Sequence, residues 1–139
     1  MTEKLLHEVL TGKIIGAAMA VLNELKPGLD EKIYENALVI ELLAQGHTIE
    51  QQRRFPVYFR EKLVGTLVPD IIVDGLVIAD PKVVTSFNNN HVTQMIGYLA
   101  ITRLDLSLLL NFKFARLQWK RIVQTAHLNP FVDSDLEPL

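Results

Sequence analysis

The amino-acid sequence predicts an α+β fold in which helices flank a central mixed β-sheet, an α/β sandwich. Apolar residues recur at helical spacing from Leu5 to Ala44. The pattern then changes to the alternation of apolar and polar residues that is typical of strands, beginning at Phe55. One further helical segment is followed by two apolar runs, so the predicted order is helix, helix, strands, helix, strand, strand.

Two helices are predicted at the start of the chain. Leu5–Leu25 is amphipathic, and Pro27-Gly28 ends this helix because proline lacks an amide donor and glycine readily adopts positive φ. Asp30 can cap a second helix, which ends at Gly46. We expect its buried face to contain Ile33, Ala37, Ile40, Leu43 and Ala44.

Four strands are predicted next, as two hairpins. The first pairs Phe55–Phe59 with Leu63–Val68 across a polar turn. The second pairs Ile71–Val73 with Leu76–Ala79 across Asp74-Gly75, and Asp-Gly between apolar runs strongly favours a hairpin.

The remaining predicted elements are one helix and two strands. Three asparagines precede the helix, His91–Thr102, and can cap it. Leu106–Phe112 is dense in leucine and is interpreted as a buried strand, and Leu117–Val123 as the last one. We expect residues 1–124 to form a single domain and residues 125–139 a loosely ordered tail.

Composition narrows the possible classes of protein. A chain of 139 residues with 49% hydrophobic and 22% charged residues is typical of one globular domain. It has no cysteine, which excludes disulfides, thiolate metal sites and cysteine nucleophiles, and together with the lack of a signal-peptide pattern predicts a cytoplasmic protein. No apolar stretch approaches the roughly 18–20 residues of a membrane span.

The residues with the clearest chemical potential are Pro69-Asp70 and Asp80-Pro81-Lys82. Because the second hairpin makes their strands neighbours, the carboxylates of Asp70 and Asp80 can converge at its open end. Two carboxylates suit a divalent cation that prefers oxygen ligands. Lys82 lies two residues after Asp80, on the same face of a strand, where it could orient water or neutralise a phosphate. Solvated strand ends remain the alternative interpretation.

These residues resemble the PD-(D/E)xK signature of metal-dependent nucleases, and more specifically the bacterial GxxExxY family. The naming motif stands here as Gly28-Leu29-Asp30-Glu31-Lys32-Ile33-Tyr34. His91, Gln94 and Tyr98-Leu99 match the family's helix after the catalytic strand, and Leu108–Phe112 matches its leucine-rich strand. The similarity extends from about Leu5 to Val123.

The resemblance implies a restriction-endonuclease-like core and a metal-dependent nuclease that hydrolyses phosphodiester bonds with Mg²⁺ or Mn²⁺. It implies Asp70 and Asp80 as metal ligands and catalytic residues, Lys82 as the catalytic lysine and Gln94 as a supporting glutamine. Glu31 would be an additional acidic metal ligand, although a favourable interaction with the helix dipole is an equally good interpretation. Glu35 faces the same way one turn later.

Two departures from the family pattern favour a second hypothesis. Asp80 replaces the usual glutamate and is one methylene shorter, and Pro81 would lose a ladder donor within a strand. The alternative function is therefore a catalytically decayed module of the same fold that binds nucleic acid or protein.

The expected partner is nucleic acid, with DNA favoured over RNA. Because the net charge is −2, electrostatic attraction must come from local sites. Two basic clusters supply candidates, and the predicted nucleic-acid-binding residues are Arg53, Arg54, Lys120 and Arg121. A solvated face of mixed charge is the alternative for both clusters. A homodimer is a further hypothesis, and no membrane partner is expected.

Overall fold

The computed structural model describes residues 5–124, so the predicted tail lies outside the described residues. Within this range the chain forms three helices and seven strands. In chain order they are α1 Glu8–Leu25, α2 Glu31–Ala44, β1 Ile49–Gln51, β2 Phe55–Phe59, β3 Lys62–Leu67, β4 Ile71–Val73, β5 Val77–Lys82, α3 Asn89–Thr102, β6 Leu106–Asn111 and β7 Gln118–Val123. None of these helices has the combined length and apolar character that crossing a membrane requires.

Five strands form the central sheet in the order β1-β4-β5-β6-β7. Only β5 and β6 run parallel among these neighbours, and helix α3 connects them. The α+β prediction with a central mixed sheet is therefore confirmed. The strand β1 was not predicted, because three residues are too few to establish an alternating pattern.

Helices cover both faces of the sheet. On one face, α1 and α2 pack on alternate residues of the central strands, including Val73, Val77 and Leu108. On the opposite face, Met95 and Leu99 of α3 pack in a cluster that contains Ile72, Ile78 and Leu109. Because successive strand residues face opposite ways, the three central strands β4, β5 and β6 contribute to both cores.

Tyr34 fixes the connection between α1 and α2. Its ring stacks on Phe112 with ring centres 4.8 Å apart. Its hydroxyl donates a hydrogen bond to the carbonyl of Lys26 and accepts one from the Leu29 N–H at 3.1 Å. Gly28, between these two residues, has φ of 112°, a value that is unfavourable for residues with a side chain. The tyrosine therefore satisfies the backbone of the loop that begins α2.

The predicted buried face of α2 is wrong. Ile40 is 70% exposed, Ile33, Leu43 and Ala44 are also exposed, and Ala37 is only half-buried. The buried residues of this helix are Tyr34, Glu35, Leu38, Val39 and Leu42. The helix carries two apolar stripes, and the stacking of Tyr34 on Phe112 decides which one faces the core.

The first predicted hairpin does not join the central sheet. Strands β2 and β3 form their own two-stranded sheet. A register shift after Val57 leaves Val64 without a partner, since Val57 pairs with Gly65 and Tyr58 pairs with Leu63. Such a bulge increases twist and turns a hairpin away from a flat sheet.

Asp74 begins the turn that joins β4 to β5. Asp74 and Gly75 have φ of 55° and 67°, as a type I′ turn requires. The carboxylate of Asp74 accepts a hydrogen bond from the Thr48 N–H at 2.8 Å and contacts His47 Nδ1 at 2.9 Å. Burial alone would raise the pKa of Asp74, but the bonds from His47 and Thr48 hold it below the ordinary value of 3.8.

We expect Asp74→Ala to lower the free energy of unfolding by about 1–3 kcal/mol, because two hydrogen bonds are lost and alanine disfavours positive φ. Urea denaturation near neutral pH measures this difference. Because the folded-state pKa is lowered, the contribution of the carboxylate is present above its ordinary pKa of 3.8 and is lost as the pH falls below it. The Asp74→Asn variant, which tolerates positive φ, should lose less. An equal loss in both variants would contradict this account.

Candidate active site

Asp70 and Asp80 lie opposite one another just beyond the paired part of the β4–β5 hairpin. The last paired residues are Ile71 and Ala79, so the same register places Asp70 beside Asp80. The two carboxyl groups are within hydrogen-bonding reach of each other, and Asp80 is only 4% exposed. Both aspartates lie on the sheet face that packs against α3, two residues from Ile72 and Ile78 respectively.

Two prolines end the ladder between β4 and β5. In an antiparallel pair, residues that exchange two backbone hydrogen bonds alternate with residues that exchange none. The Phe112 N–H donates to the carbonyl of Lys82, so Lys82 faces β6 and Pro81 faces the side of β4. Continuing the register would place Pro69 opposite Pro81. Neither has an N–H group, so no ladder bond forms there and the backbone pairing ends before the two aspartates.

Lys82 lies on the same face as Asp80. Its Nζ is 3.3 Å from both Oδ1 and Oδ2 of that carboxylate. Lys82 is half-buried at the end of β5. The structure therefore brings Asp70, Asp80 and Lys82 together in one small group.

The electrostatics of this group are dominated by burial. Burial, together with the neighbouring Asp70 carboxylate, raises the pKa of Asp80 to about 7 in spite of the nearby Lys82 ammonium. Two carboxylates this close favour the binding of a cation, which would relieve their repulsion.

Gln52 holds Asp70 in place through both its backbone and its side chain. The Gln52 N–H donates to the Asp70 carbonyl at 2.9 Å, and its side-chain amide donates to Asp70 Oδ1 at 3.1 Å. The same amide donates to Glu35 Oε2 at 3.0 Å. Gln52 has φ of 58°, an uncommon value for a residue with a side chain. This conformation lets one residue present both of its amides to Asp70.

Glu35 is the buried carboxylate that accepts the hydrogen bond from the Gln52 side chain. It is 3% exposed, and its Oε2 atom also accepts hydrogen bonds from Lys32 at 3.0 Å and Gln51 at 2.7 Å. The sequence placed Glu35 on the face of Glu31 but did not indicate Gln51 or Gln52. Both glutamines lie in a polar stretch after Ile49 and Glu50, which offers no pattern that would single them out.

Glu31 lies at the edge of the group. Its carboxylate accepts a hydrogen bond from the Val83 N–H, and Lys82 and Asp70 are near enough to affect its titration. Partial burial raises the pKa of Glu31, while the Lys82 ammonium opposes that effect. Glu31 thus borders the two aspartates from the side of α2.

Helix α3 presents Gln94 and Tyr98 to the same group. The Gln94 amide donates to the Tyr98 hydroxyl at 3.3 Å. Burial raises the pKa of Tyr98, and the carboxylates of Asp80 and Asp70 raise it further, which places this hydroxyl near them. The helix is fixed by a capping box in which Asn88 and His91 each accept a backbone hydrogen bond from the other.

Asn111 anchors the segment that follows Lys82. Its side chain is fully buried, donates to the Val84 carbonyl at 2.8 Å and accepts from the Val84 N–H at 3.1 Å. It also donates to Gln118 Oε1 at 3.1 Å and accepts from the Lys113 N–H. Because Asn111 also pairs with Lys82 in the sheet, its bonds to Val84 fix the chain directly after the lysine.

The four predicted nucleic-acid-binding residues lie in different environments. Arg54 and Lys120 are exposed. Arg53 is also exposed, pairs with Glu50 at 2.9 Å and covers the ring of Phe55. Arg121 is half-buried, and its guanidinium donates to Thr11 Oγ1 at 2.9 Å and to the Leu6 carbonyl. Arg121 thus links β7 to the start of α1, and its role toward nucleic acid stays a prediction.

The donor set fits a small divalent cation that retains water. Within residues 5–124, no group of three or more His, Asp or Glu side chains is arranged as a complete metal cage. Mg²⁺ does not need such a cage, because it is commonly bound through one or two carboxylates and keeps several waters. Asp70 and Asp80 supply those two carboxylates, in a place where a positive charge would be stabilised.

The chain is similar to known proteins in sequence and in structure. A sequence-family model described as the PD-(D/E)XK nuclease superfamily matches residues 8–122. No curated protein matches the chain. Among solved structures, the chain is similar to an alkaline exonuclease (LHK-Exo) from Laribacter hongkongensis, with 10% identity over 85% of this chain and 81% of that chain and a TM-score of 0.45.

We expect Asn111→Leu to lower the free energy of unfolding by about 2–4 kcal/mol, because it leaves the Val84 N–H and carbonyl without their partner. Thermal or urea denaturation measures the change. Gln118→Ala removes one exposed contact of Asn111 and should cost less than about 0.5 kcal/mol. A small effect of Asn111→Leu would show that water replaces these bonds.

Proposed function

Because the chain belongs to the PD-(D/E)XK nuclease superfamily, we propose that it is a metal-dependent nuclease that hydrolyses phosphodiester bonds of nucleic acid. The observation that carries this proposal is the convergence of Asp70, Asp80 and Lys82 where the β4–β5 ladder ends. Nucleases of this superfamily typically use divalent metal ions, and a nuclease-like fold suggests a nucleic-acid substrate.

In this proposal Asp70 and Asp80 hold Mg²⁺ or Mn²⁺, and Glu31 adds an acidic ligand at the edge of the site. When bound, the ion polarises the scissile phosphate and lowers the pKa of bound water. Lys82 orients the attacking water, and its contact with Asp80 fixes the ammonium for that task. Gln94, which is exposed on α3, contacts a substrate phosphate while Tyr98 limits the freedom of its amide.

The position of Pro81 supports catalysis over the alternative of a decayed binding module. A proline within a strand is costly where its missing N–H would have bonded to a neighbour. Pro81 faces the side of β4 rather than β6, so its missing N–H does not interrupt the parallel pairing with β6, which continues to Lys82. The shorter Asp80 keeps its contacts with both Lys82 and Asp70.

The subfamily, the type of nucleic acid, the localisation and the oligomeric state are finer parts of the same proposal. Gly28, Glu31 and Tyr34 favour the bacterial GxxExxY family, and the loop contacts of Tyr34 give that motif a structural reason. DNA as the substrate, cytoplasmic localisation and a homodimer remain predictions from the sequence.

We expect Asp70→Asn and Lys82→Ala each to reduce metal-dependent cleavage below about one hundredth of the wild-type rate, since each removes a charged group from the reacting centre. The measurement is cleavage of single- and double-stranded DNA and RNA with Mg²⁺ or Mn²⁺. Glu24→Gln and Lys13→Ala change charge on exposed parts of α1 and serve as matched controls that should retain activity. Wild-type activity in either site variant would reject the role given to that residue.

Mn²⁺ should raise the melting temperature of the wild-type protein. An ion that binds only the folded state at 100 times its Kd stabilises that state by about 2.7 kcal/mol. Asp70→Asn and Asp80→Asn should each abolish most of the shift, whereas Glu24→Gln should retain it. An unchanged melting temperature of the wild type at millimolar Mn²⁺, together with no cleavage, would favour the binding module.

A further inference from the structure

The hairpin formed by β2 and β3, which we call the arm and define as residues 53–69, exposes an unusual amount of apolar surface. Tyr58 and Phe59 are each 61% exposed, and Leu63 and Val64 are similarly exposed across the strand pair. All four residues lie at the end of the arm that carries the turn. Tyr58 is paired with Leu63, whereas Phe59, the next residue of β2, faces the opposite way. Exposed apolar clusters of this kind commonly mark binding surfaces.

The arm begins and ends at the candidate active site. Gln52 precedes it and Asp70 follows it, and these two residues are joined by backbone and side-chain hydrogen bonds. At its base, Phe55 packs with the cluster beneath α3, on the sheet face where Asp80 and Lys82 lie. At about 3.3 Å per residue, the tip lies roughly 20 Å along the strand from Gln52. A polymer bound at the site could therefore extend along the arm.

The arm is basic, although the whole chain has a net charge of −2. It contains Arg53, Arg54, Arg60 and Lys62 and a single acid, Glu61. The Arg60 guanidinium lies over the Phe59 ring, 4.9 Å from its centre. Exposed aromatic rings interleaved with cations match the two parts of a nucleic acid, because bases stack on rings and phosphates attract cations.

We propose that the arm binds unpaired bases of a single-stranded nucleic acid several nucleotides away from the scissile phosphate, with Tyr58 and Phe59 as stacking surfaces and Arg60 and Lys62 as phosphate contacts. This inference rests on the proposed nuclease function and specifies its substrate class. Stacking requires a base whose face is free, so the arm selects single strands or single-stranded ends over a blunt duplex. The excess of positive charge favours nucleic acid over an apolar protein partner.

The test measures binding of fluorescent oligothymidylate, oligouridylate and a blunt DNA duplex in EDTA, where the probes are not cleaved. The wild-type protein should bind a single strand more tightly than the duplex. Tyr58→Leu with Phe59→Leu keeps apolar area but removes both rings, and should weaken single-strand binding by about tenfold or more. Tyr58→Phe with Phe59→Tyr keeps both rings and should bind within about twofold of wild type.

Two further variants separate stacking from charge and from general apolar exposure. Arg60→Gln with Lys62→Gln should weaken binding and reduce its dependence on salt concentration, as expected for the loss of phosphate contacts. Ile40→Ala with Leu43→Ala removes exposed apolar side chains from α2 and should leave binding unchanged. A leucine double variant that binds like wild type, or equal affinity for the duplex, would overturn the proposal.

The wild-type protein and the leucine double variant also distinguish this inference from the nuclease proposal. Cleavage with Mn²⁺ that does not respond to the leucine double variant would reject the arm and keep the nuclease. Single-strand binding through the arm without cleavage by the wild type would reject the nuclease and keep the arm. A lower oligomeric mass of the leucine variant in sedimentation velocity, with unchanged oligonucleotide binding, would identify the tip as a protein interface and overturn the proposal.

Discussion

The candidate site depends on where the hydrogen-bonded ladder between β4 and β5 ends. Pairing stops at Ile71 and Ala79, and the next pair that would exchange backbone bonds consists of two prolines, Pro69 and Pro81. Because neither proline has an N–H group, the strands cannot continue as a ladder across Asp70 and Asp80. The parallel strand β6 meanwhile holds β5 to its full length. One strand is thus held along its full length while the pairing of its neighbour ends, and the two carboxylates lie side by side at that point.

The surrounding hydrogen bonds hold the residues of the candidate site in one arrangement. Gln52 adopts an uncommon backbone conformation and donates hydrogen bonds to both Asp70 and Glu35. The buried Glu35 therefore helps to hold Asp70 in place through Gln52. Asn111 fixes the chain after Lys82 from the other side. Since the carboxylates are positioned by packed and bonded neighbours, little reorganisation would be needed for the proposed binding of a cation.

The sequence was informative where structure is decided by near neighbours and less so where it is decided across the fold. Asp74-Gly75 predicted the hairpin that brings Asp70 to Asp80, and the Leu106–Phe112 run predicted a buried strand. The buried face of α2 could not be predicted, because two apolar stripes compete and a distant ring, Phe112, selects one. Gln52 was missed for a similar reason, since its partners lie 17 and 18 residues away. From the sequence, Pro81 was expected to cost a ladder bond, because the sequence does not show which neighbouring strand a residue faces.

The bond between Gln52 and Asp70 also has a consequence for how the chain can change over evolutionary time. It closes residues 53–69 into a loop whose two ends meet at a fixed point, so the central sheet depends little on the segment beyond Phe55, the residue that packs in the α3 cluster. The entropy of closing a loop grows only slowly with its length. Insertions, deletions or replacement of this segment should therefore cost the fold little while altering what approaches the two carboxylates. The central sheet and the arm can therefore diversify separately.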